Sequence, residues 1–274
     1  MIHHYILSHT ILHRPLYLKS LGSLHDEISY ELIFNRRLLE THPKKVVIQI
    51  CIDMANLRVI FFDLETTGAD QRTQHDGIQI CSMAASTYAK EGEAKKFLAY
   101  VKPTCAFQPI ASRINGMTME GDNLVKYGKT VETALSLMQG LQDFLTFIET
   151  VKDDEGRDTR IVLTAHNCFN FDAIVLLKNL RMFELQLPDE VVFGDTCEMM
   201  EILVEECLIP RGRNNYTLDK CLKRYFNEGQ GDHDAESDTK NLIRVANRAA
   251  TDLGFDTYES FQRSRPDLTK NVTI

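Results

Sequence analysis

Arg58-Val59-Ile60-Phe61-Phe62-Asp63-Leu64-Glu65-Thr66-Thr67-Gly68 decides how the rest of this chain is laid out. Arg58 to Phe62 is rich in β-branched and aromatic residues without polar alternation, the pattern of a strand buried on both faces. Side chains alternate along a strand, so Asp63 and Glu65 point the same way. Thr66-Thr67-Gly68 then supplies small polar groups and a residue free to turn. Two anions held side by side at the end of a buried strand are costly unless a cation lies between them, and divalent metal is the usual solution. Such a pair also arises by chance on exposed strand ends that face water. Asp63 and Glu65 therefore need partners elsewhere in the chain before they imply chemistry.

The whole chain narrows the choice. At 274 residues it holds one sizeable domain with extensions, or two small domains. Its 43% apolar and 26% charged residues are ordinary for a globular protein, and no run of about eighteen apolar residues marks a membrane helix, so no membrane partner is expected. Seven cysteines (51, 81, 105, 168, 197, 207, 221) are dispersed without paired spacing. That argues for reduced thiols, an intracellular setting in nucleus or cytoplasm, and against a zinc site. Residues 1–53 hold six of the 31 Lys/Arg and five of the 39 Asp/Glu, a net of +1, so the remainder carries 25 against 34, or −9. An acidic domain is a poor general phosphate binder, and any nucleic-acid contact has to be local or carried by metal ions.

Residues 1–53 differ in character from the rest of the chain. Six of the nine histidines (3, 4, 9, 13, 25, 42) fall there, in spacings that form no metal site. Ile28 to Leu39 has amphipathic character, and 46–50 reads as a strand. No targeting signal stands out. Met54 sits just before the strand that carries Asp63 and is expected to be able to start the functional domain. The expected organisation is an N-terminal extension (1–56), a main folded domain (57–255) and a polar C-terminal tail (256–274) containing Pro266. Within the domain, strands are expected over 77–88 and 95–101 with a turn at 90–93, then a short helix 109–115 ended by Gly116. Thr130 is expected to cap a longer helix with Ala134, Leu137, Met138, Leu141, Leu145 and Ile148 on its apolar face. A charged loop (152–160), a strand (161–164), a helix (172–185) and a strand (191–193) come next. Asp195 with Glu198 reads as a capping box, Thr217 as a cap, and the last long helix runs from about Asp234 to Leu253. Strands interleaved with helices make an α/β architecture with a mixed sheet.

Two further acidic elements accompany the first. Ala165-His166-Asn167-Cys168-Phe169-Asn170-Phe171-Asp172 begins where a strand ends, and Asp172 falls in the first turn of the next helix. A carboxylate there is favoured by the helix dipole even without metal. His233-Asp234-Ala235-Glu236-Ser237-Asp238 opens the last long helix, behind Gly229-Gln230-Gly231, where glycines permit movement. The strand-end pair, the helix-opening acid and the His-x-x-x-x-Asp come in order with matching contexts from about 58 to 253.

Together they resemble the DEDDh (DnaQ-like) 3′→5′ exonuclease family, most closely its proofreading subunits and three-prime repair exonucleases. Asp63 and Glu65 match its Asp-x-Glu, Asp172 its second acid, and His233 with Asp238 its third motif. Ile114-Asn115-Gly116-Met117-Thr118 and Asp195-Thr196 echo secondary motifs. The proline-rich interaction segment of the repair enzymes is missing, which leaves their partner contacts without a counterpart. The resemblance implies a ribonuclease H-like mixed β-sheet flanked by α-helices. It also implies hydrolysis with two Mg2+ ions (Mn2+ able to substitute) about 4 Å apart, suited to oxygen ligands. Asp63 would bridge both ions, Glu65 and Asp238 would hold the one that activates water, and Asp172 would support the one at the leaving group. His233 would swing in as the base, since histidine ordinarily titrates near pH 6.5.

For substrate, the resemblance places the backbone of Leu64, Thr66 and Thr67 at the terminal nucleotide, with Asn167 and Met117 lining the same pocket. The 209–215 loop, with Arg211 and Arg213, offers basic groups to phosphates. The expected partner is nucleic acid, single-stranded or frayed DNA 3′ ends foremost. An exoribonuclease on RNA or short oligoribonucleotides is the alternative, because the 2′-OH is sensed by small pocket details. A nuclease-like interaction module without catalysis is the third reading, against which stands the presence of all five residues. A homodimer or a place in a polymerase or repair complex stays open.

Overall fold

The computed structural model describes residues 57–69, 75–88, 93–155, 159–212, 216–231, 233–265 and 268–274, with two short strands nearer the N-terminus. The chain divides into two compact units, Met1–Asn56 and Leu57–Ile274. In the first, β1 (Lys19–Ser20) pairs antiparallel with β2 (Tyr30–Glu31). The expected strand over 46–50, most of the amphipathic stretch 28–39, and Met54 lie outside the described residues.

The second unit is built around β3 (Leu57–Thr66). Among the described residues its sheet has seven strands in the order β12-β11-β10-β3-β4-β5-β9. These are β4 (Ile80–Thr87), β5 (Lys96–Lys102), β9 (Leu135–Ser136), β10 (Arg160–Ala165), β11 (Val191–Asp195) and β12 (Thr269–Lys270). β3 runs parallel to β10 and antiparallel to β4, so the sheet is mixed. The period-2 alternation of β3 sorts its apolar residues onto two cores. Ile60, Phe62 and Leu64 pack with Leu141, Phe144 and Ile148 of α2 (Leu137–Glu155) and with Ala173, Leu176 and Leu180 of α3 (Asp172–Arg181). Leu57, Val59 and Phe61 pack on the opposite face. That face is covered by α4 (Thr196–Glu205), α5 (Leu218–Phe226), α6 (Ala235–Asp252) and α7 (Tyr258–Ser264). Asp63 and Glu65 continue this second face toward the start of α6.

Two features shape the end of β3. Its register on β4 shifts between Glu65 and Thr66, from Glu65 opposite Ser82 to Thr66 opposite Ile80. A bulge of this kind re-aims side chains where a strand stops pairing. Beyond it, α1 (Pro109–Asn115) ends at Gly116, which is left-handed (φ 69) as a C-cap glycine is expected to be.

Several expectations are corrected. Thr130 caps no helix: residues 117–130 form a three-stranded antiparallel sheet, β6 (Met117–Glu120), β7 (Asn123–Lys126) and β8 (Lys129–Thr130). The helix starts at Leu137, where Ser136 Oγ accepts from Gln139 N at 3.2 Å. The apolar spacing holds from Leu137 onward, with Leu137, Leu141 and Ile148 buried, whereas Ala134 packs with Met117 and Leu124 and Met138 is 43% exposed. The charged stretch after 152 is helical to Glu155, and Lys152 pairs with Glu190 at 2.8 Å.

The tail reading also fails. Tyr258 and Phe261, three apart on α7, are buried at 0% and 1% exposure, and Tyr258 stacks 5.3 Å from Phe61. β12 adds a strand to β11. Average polarity hid two aromatics on one helical face.

Candidate active site

Four carboxylates from three separate segments meet where β3 ends. Glu65, Asp172 and Asp238 are exposed by only 8%, 4% and 2%, while Asp63 keeps part of its surface open. β3 supplies Asp63 and Glu65. α3 supplies Asp172 at its first residue, where the carboxylate accepts from its own N–H and from the Leu64 N–H. α6 supplies Asp238 in its first turn, behind the cap of Asp234 on Ser237 N (3.2 Å). His233 stands at the rim, 43% exposed, with Nδ1 at 3.8 Å from Asp238 Oδ2. Ligand atoms of Glu65, His233 and Asp238 lie within 4.8 Å of one another.

All four acids are pushed away from ionisation. Burial is the first cause for Asp63, followed by the charges of Asp172, Glu65 and Asp238. Glu65 is raised to about 7 by burial and then by Asp238, against an opposing hydrogen bond from Asn115 and the charge of Lys126. Burial and then Asp195 raise Asp172. Burial raises Asp238, with Gln230 and His233 acting against it. Four buried anions that repel one another call for positive charge between them.

The group opens into a cavity of about 430 Å3. Of the residues expected to contact substrate, Leu64 and Thr66 line it. Thr67, Met117 and Asn167 do not. Thr67 is 1% exposed and its Oγ1 accepts from Gln79 N at 3.0 Å. Met117 is fully buried against Cys81 and Leu124. Asn167 is left-handed (φ 62), its N–H donates to Asp195 Oδ1 (2.9 Å), and its side-chain oxygen accepts from Asn170. The lining instead includes Ile110 and Ile114 of α1, exposed by 51% and 44%. His166 lines it too; burial lowers its basicity, Nε2–H donates to the Tyr216 carbonyl, and Nδ1 pairs with Thr196 Oγ1 at 2.8 Å. Arg213 of the expected phosphate loop lies outside the described residues.

Residues 60–246 match the exonuclease family RNase_T, a span that contains all five residues. The chain belongs to this exonuclease family. Three prime repair exonuclease 2 of Homo sapiens is 30% identical over 155 residues, covering 55% of this chain and 61% of its own length. The Mus musculus protein is 28% identical over the same shares. The chain thus spans about three-fifths of these relatives. Among solved structures, the nuclease domain of 3'hExo, a DEDDh family member bound to rAMP, superposes with a TM-score of 0.55 at 14% identity, over 75% of this chain and 96% of that one. E. coli exonuclease I in complex with a dT13 oligonucleotide gives 0.54 at 14%, over 72% and 42%. At these identities the likeness concerns the fold, and it confirms the expected ribonuclease H-like sheet.

The four carboxylates offer oxygen donors of the kind that hard divalent cations take, and the buried Oδ1 of Asp238 has no hydrogen-bond partner among the described residues. The other oxygen, Oδ2, accepts from Gln230 Nε2 at 3.0 Å, so Oδ1 is the one left for a cation. Support comes from residues of the secondary motifs, whose part in the site the sequence did not specify. Asn115 Nδ2 donates to the Thr66 carbonyl (3.1 Å) while its Oδ1 accepts from Met117 N (3.0 Å). Asp195 accepts from the N–H groups of Asn167, Phe169 and Cys197 at 2.9, 3.1 and 2.9 Å, and so shapes the turn that delivers Asp172. For Gln230, between two glycines, the sequence carried one hint: a polar residue on a hinge beside His233.

Proposed function

We propose that this protein is a metal-dependent 3′→5′ exonuclease that releases nucleoside monophosphates from single-stranded or frayed DNA 3′ ends. The observation that carries the reading is the convergence of Asp63 with the buried Glu65, Asp172 and Asp238 beside an exposed His233, in a member of the exonuclease family. In this reading the four carboxylates hold two divalent cations, which when bound supply the positive charge that phosphodiester hydrolysis needs at the attacking water and the leaving oxygen.

The chain's own residues do the rest. His233, at the rim, takes the proton from the attacking water. Gln230 holds Asp238 and stands 3.4 Å from His233 Nδ1, so it orients both. Ile110 and Ile114 offer apolar surface to the terminal bases, while the backbone at Leu64 and Thr66 faces the 3′ end. Apolar contact of this kind makes no base-specific hydrogen bond and is tolerant of sequence, as removal of successive nucleotides requires.

The name of the repair exonuclease relatives and the dT13 complex of exonuclease I support DNA. The rAMP complex of 3'hExo supports the ribonuclease alternative. The test is release of mononucleotides from 3′-labelled single-stranded DNA by the full chain, with Mg2+ or with chelator. Metal-dependent release that Asp63→Ala abolishes is expected. Absence of release from the unmutated protein, or its survival in Asp63→Ala, refutes the catalytic reading. A matched RNA oligonucleotide degraded faster than the DNA reverses the substrate assignment.

A further inference from the structure

Lys126, the last residue of β7, sits behind the acids rather than in the cavity. Its side chain is 17% exposed. Nζ bonds the Asp234 carboxylate, donates to the Tyr100 hydroxyl at 3.1 Å, and lies 5.0 Å from the centre of the Tyr100 ring. The Tyr100 hydroxyl donates in turn to the same Asp234 oxygen at 3.3 Å, closing a triangle. The other Asp234 oxygen caps α6 through Ser237 N. One carboxylate therefore joins two tasks: it starts the helix that carries Asp238, and it ties that start to β5 and β7. His233 is its immediate neighbour in the chain.

An exposed ion pair contributes little, about 0–1 kcal/mol. This one differs in three ways. It is mostly shielded from water, it has a third member, and it joins segments 108 residues apart. Asp234 also adds to the repulsion felt by Asp63, Glu65 and Asp238, and Lys126 offsets that repulsion at Glu65.

We propose that Lys126 is a positioning residue of the active site: with Tyr100 it latches the Asp234 cap and fixes the start of α6, with Asp238 in its first turn and His233 just ahead of the cap, against the strand that carries Asp63 and Glu65. The proposal rests on the exonuclease reading of that site. Neither Lys126 nor Asp234 lines the cavity, so neither contacts substrate. The small β6–β8 sheet thereby acquires a purpose, which is to bring Lys126 to the back of the α6 cap.

The test compares Lys126→Met and Lys126→Arg in the full chain, by steady-state kinetics on single-stranded DNA and by amide hydrogen exchange of 235–239. Lys126→Met is expected to lower kcat about 10- to 100-fold with KM within about twofold, since a misplacement of ~1 Å can cost ~100-fold. Exchange in the first turn of α6 rises while the central strands stay protected, and Lys126→Arg restores kcat to within about threefold. A raised KM with kcat intact would make Lys126 a phosphate contact and overturn the proposal. So would unchanged kcat and exchange. If Lys126→Met does not fold, Tyr100→Phe, which removes one member of the latch, is expected to lower kcat about threefold in the same pattern, and wild-type kinetics there overturn the proposal. Absence of activity in the unmutated protein defeats the exonuclease reading and the catalytic role of the latch together. Intact activity that only Lys126→Met leaves untouched defeats the latch alone.

Discussion

Replacing Glu65 by Gln is expected to stabilise the metal-free protein near neutral pH, although it removes a residue central to the site. The carboxyl is 8% exposed and is raised from 4.5 to about 7. At ~1.4 kcal/mol per unit, that shift is worth about 3 kcal/mol. The sign is set by where the proton is held. Below pH 4.5 the side chain is neutral in both folded and unfolded chains and contributes nothing. As pH rises toward 7 the unfolded chain releases its proton and the folded one retains it, so stability falls, and above about 7 the loss is complete. Asp63, Asp172 and Asp238, also raised, act in the same direction.

A glutamine can still accept from Asn115 and carries no charge, so Glu65→Gln relieves the loss. At about 2–4 °C per kcal/mol for a domain of this size, Tm in chelator at pH 7.5 should rise by about 6–12 °C. At pH 5 the gain should shrink to about 1 kcal/mol or less. Mg2+ or Mn2+ should raise the Tm of the unmutated protein at pH 7.5 and help the variant much less. Thermal unfolding followed by circular dichroism at the two pH values, with and without metal, reads all of this. A variant no more stable than its parent at pH 7.5, or a gain of equal size at pH 5, would refute the view that Glu65 is held against its charge.

Other consequences can be measured directly. Gly140 lies on α2 with its position for a Cβ only 2.2 Å from Val101 Cγ1, so Gly140→Ala should lower the urea midpoint by an equivalent of about 1–2 kcal/mol, the clash outweighing the ~1 kcal/mol an alanine adds to a helix; a rising midpoint would contradict the packing. Asp195→Ala strands three N–H donors and should cost about 2–4 kcal/mol, whereas Asp195→Asn keeps an acceptor and should cost less; equal losses would disprove the role of those bonds. Ile110→Ala and Ile114→Ala should each raise KM for an oligonucleotide about three- to tenfold with kcat little changed, because each truncation removes apolar contact worth ~0.8 kcal/mol per covered CH2; an unchanged KM would remove α1 from the substrate path.

The five central residues were legible in sequence because metal chemistry restricts residue type and because strand ends and helix starts announce themselves. Arg58 to Phe62 could only be a buried strand, and Pro109, Gly116, Thr217 and Asp234 marked helix ends where they stand. The lining of the cavity was not legible. The bulge after Glu65 sends Thr66 to the cavity and Thr67 to Gln79, and no spacing rule announces a bulge. Lys126, Tyr100 and Asp234 meet only because three strands fold over 117–130, where no element was expected before Thr130, so their association depends on packing rather than on any local pattern. Tyr258 and Phe261 were concealed by their polar neighbours.

The order in which the domain's parts are synthesised places a demand on β3. Arg58 pairs with Glu259 at 3.4 Å, a partner 201 residues later, and Arg263 donates to the Leu57 carbonyl. At ~5–20 residues per second the ribosome takes about 10–40 s to deliver those partners. β4 can pair with β3 soon after it emerges, but throughout that interval the face of β3 that carries Leu57, Val59 and Phe61 lacks its cover of α7, and an uncovered apolar strand face is the kind of surface that pairs with other nascent chains. Asp63 and Glu65 stand directly beside it, and flanking charges are what keep such strands apart. The acids that will crowd together in the finished site thus serve as solubilising guards on the unfinished one. Cell-free synthesis of Asp63→Asn/Glu65→Gln should leave more of the chain in the pellet, even though Glu65→Gln is expected to make the folded protein more stable.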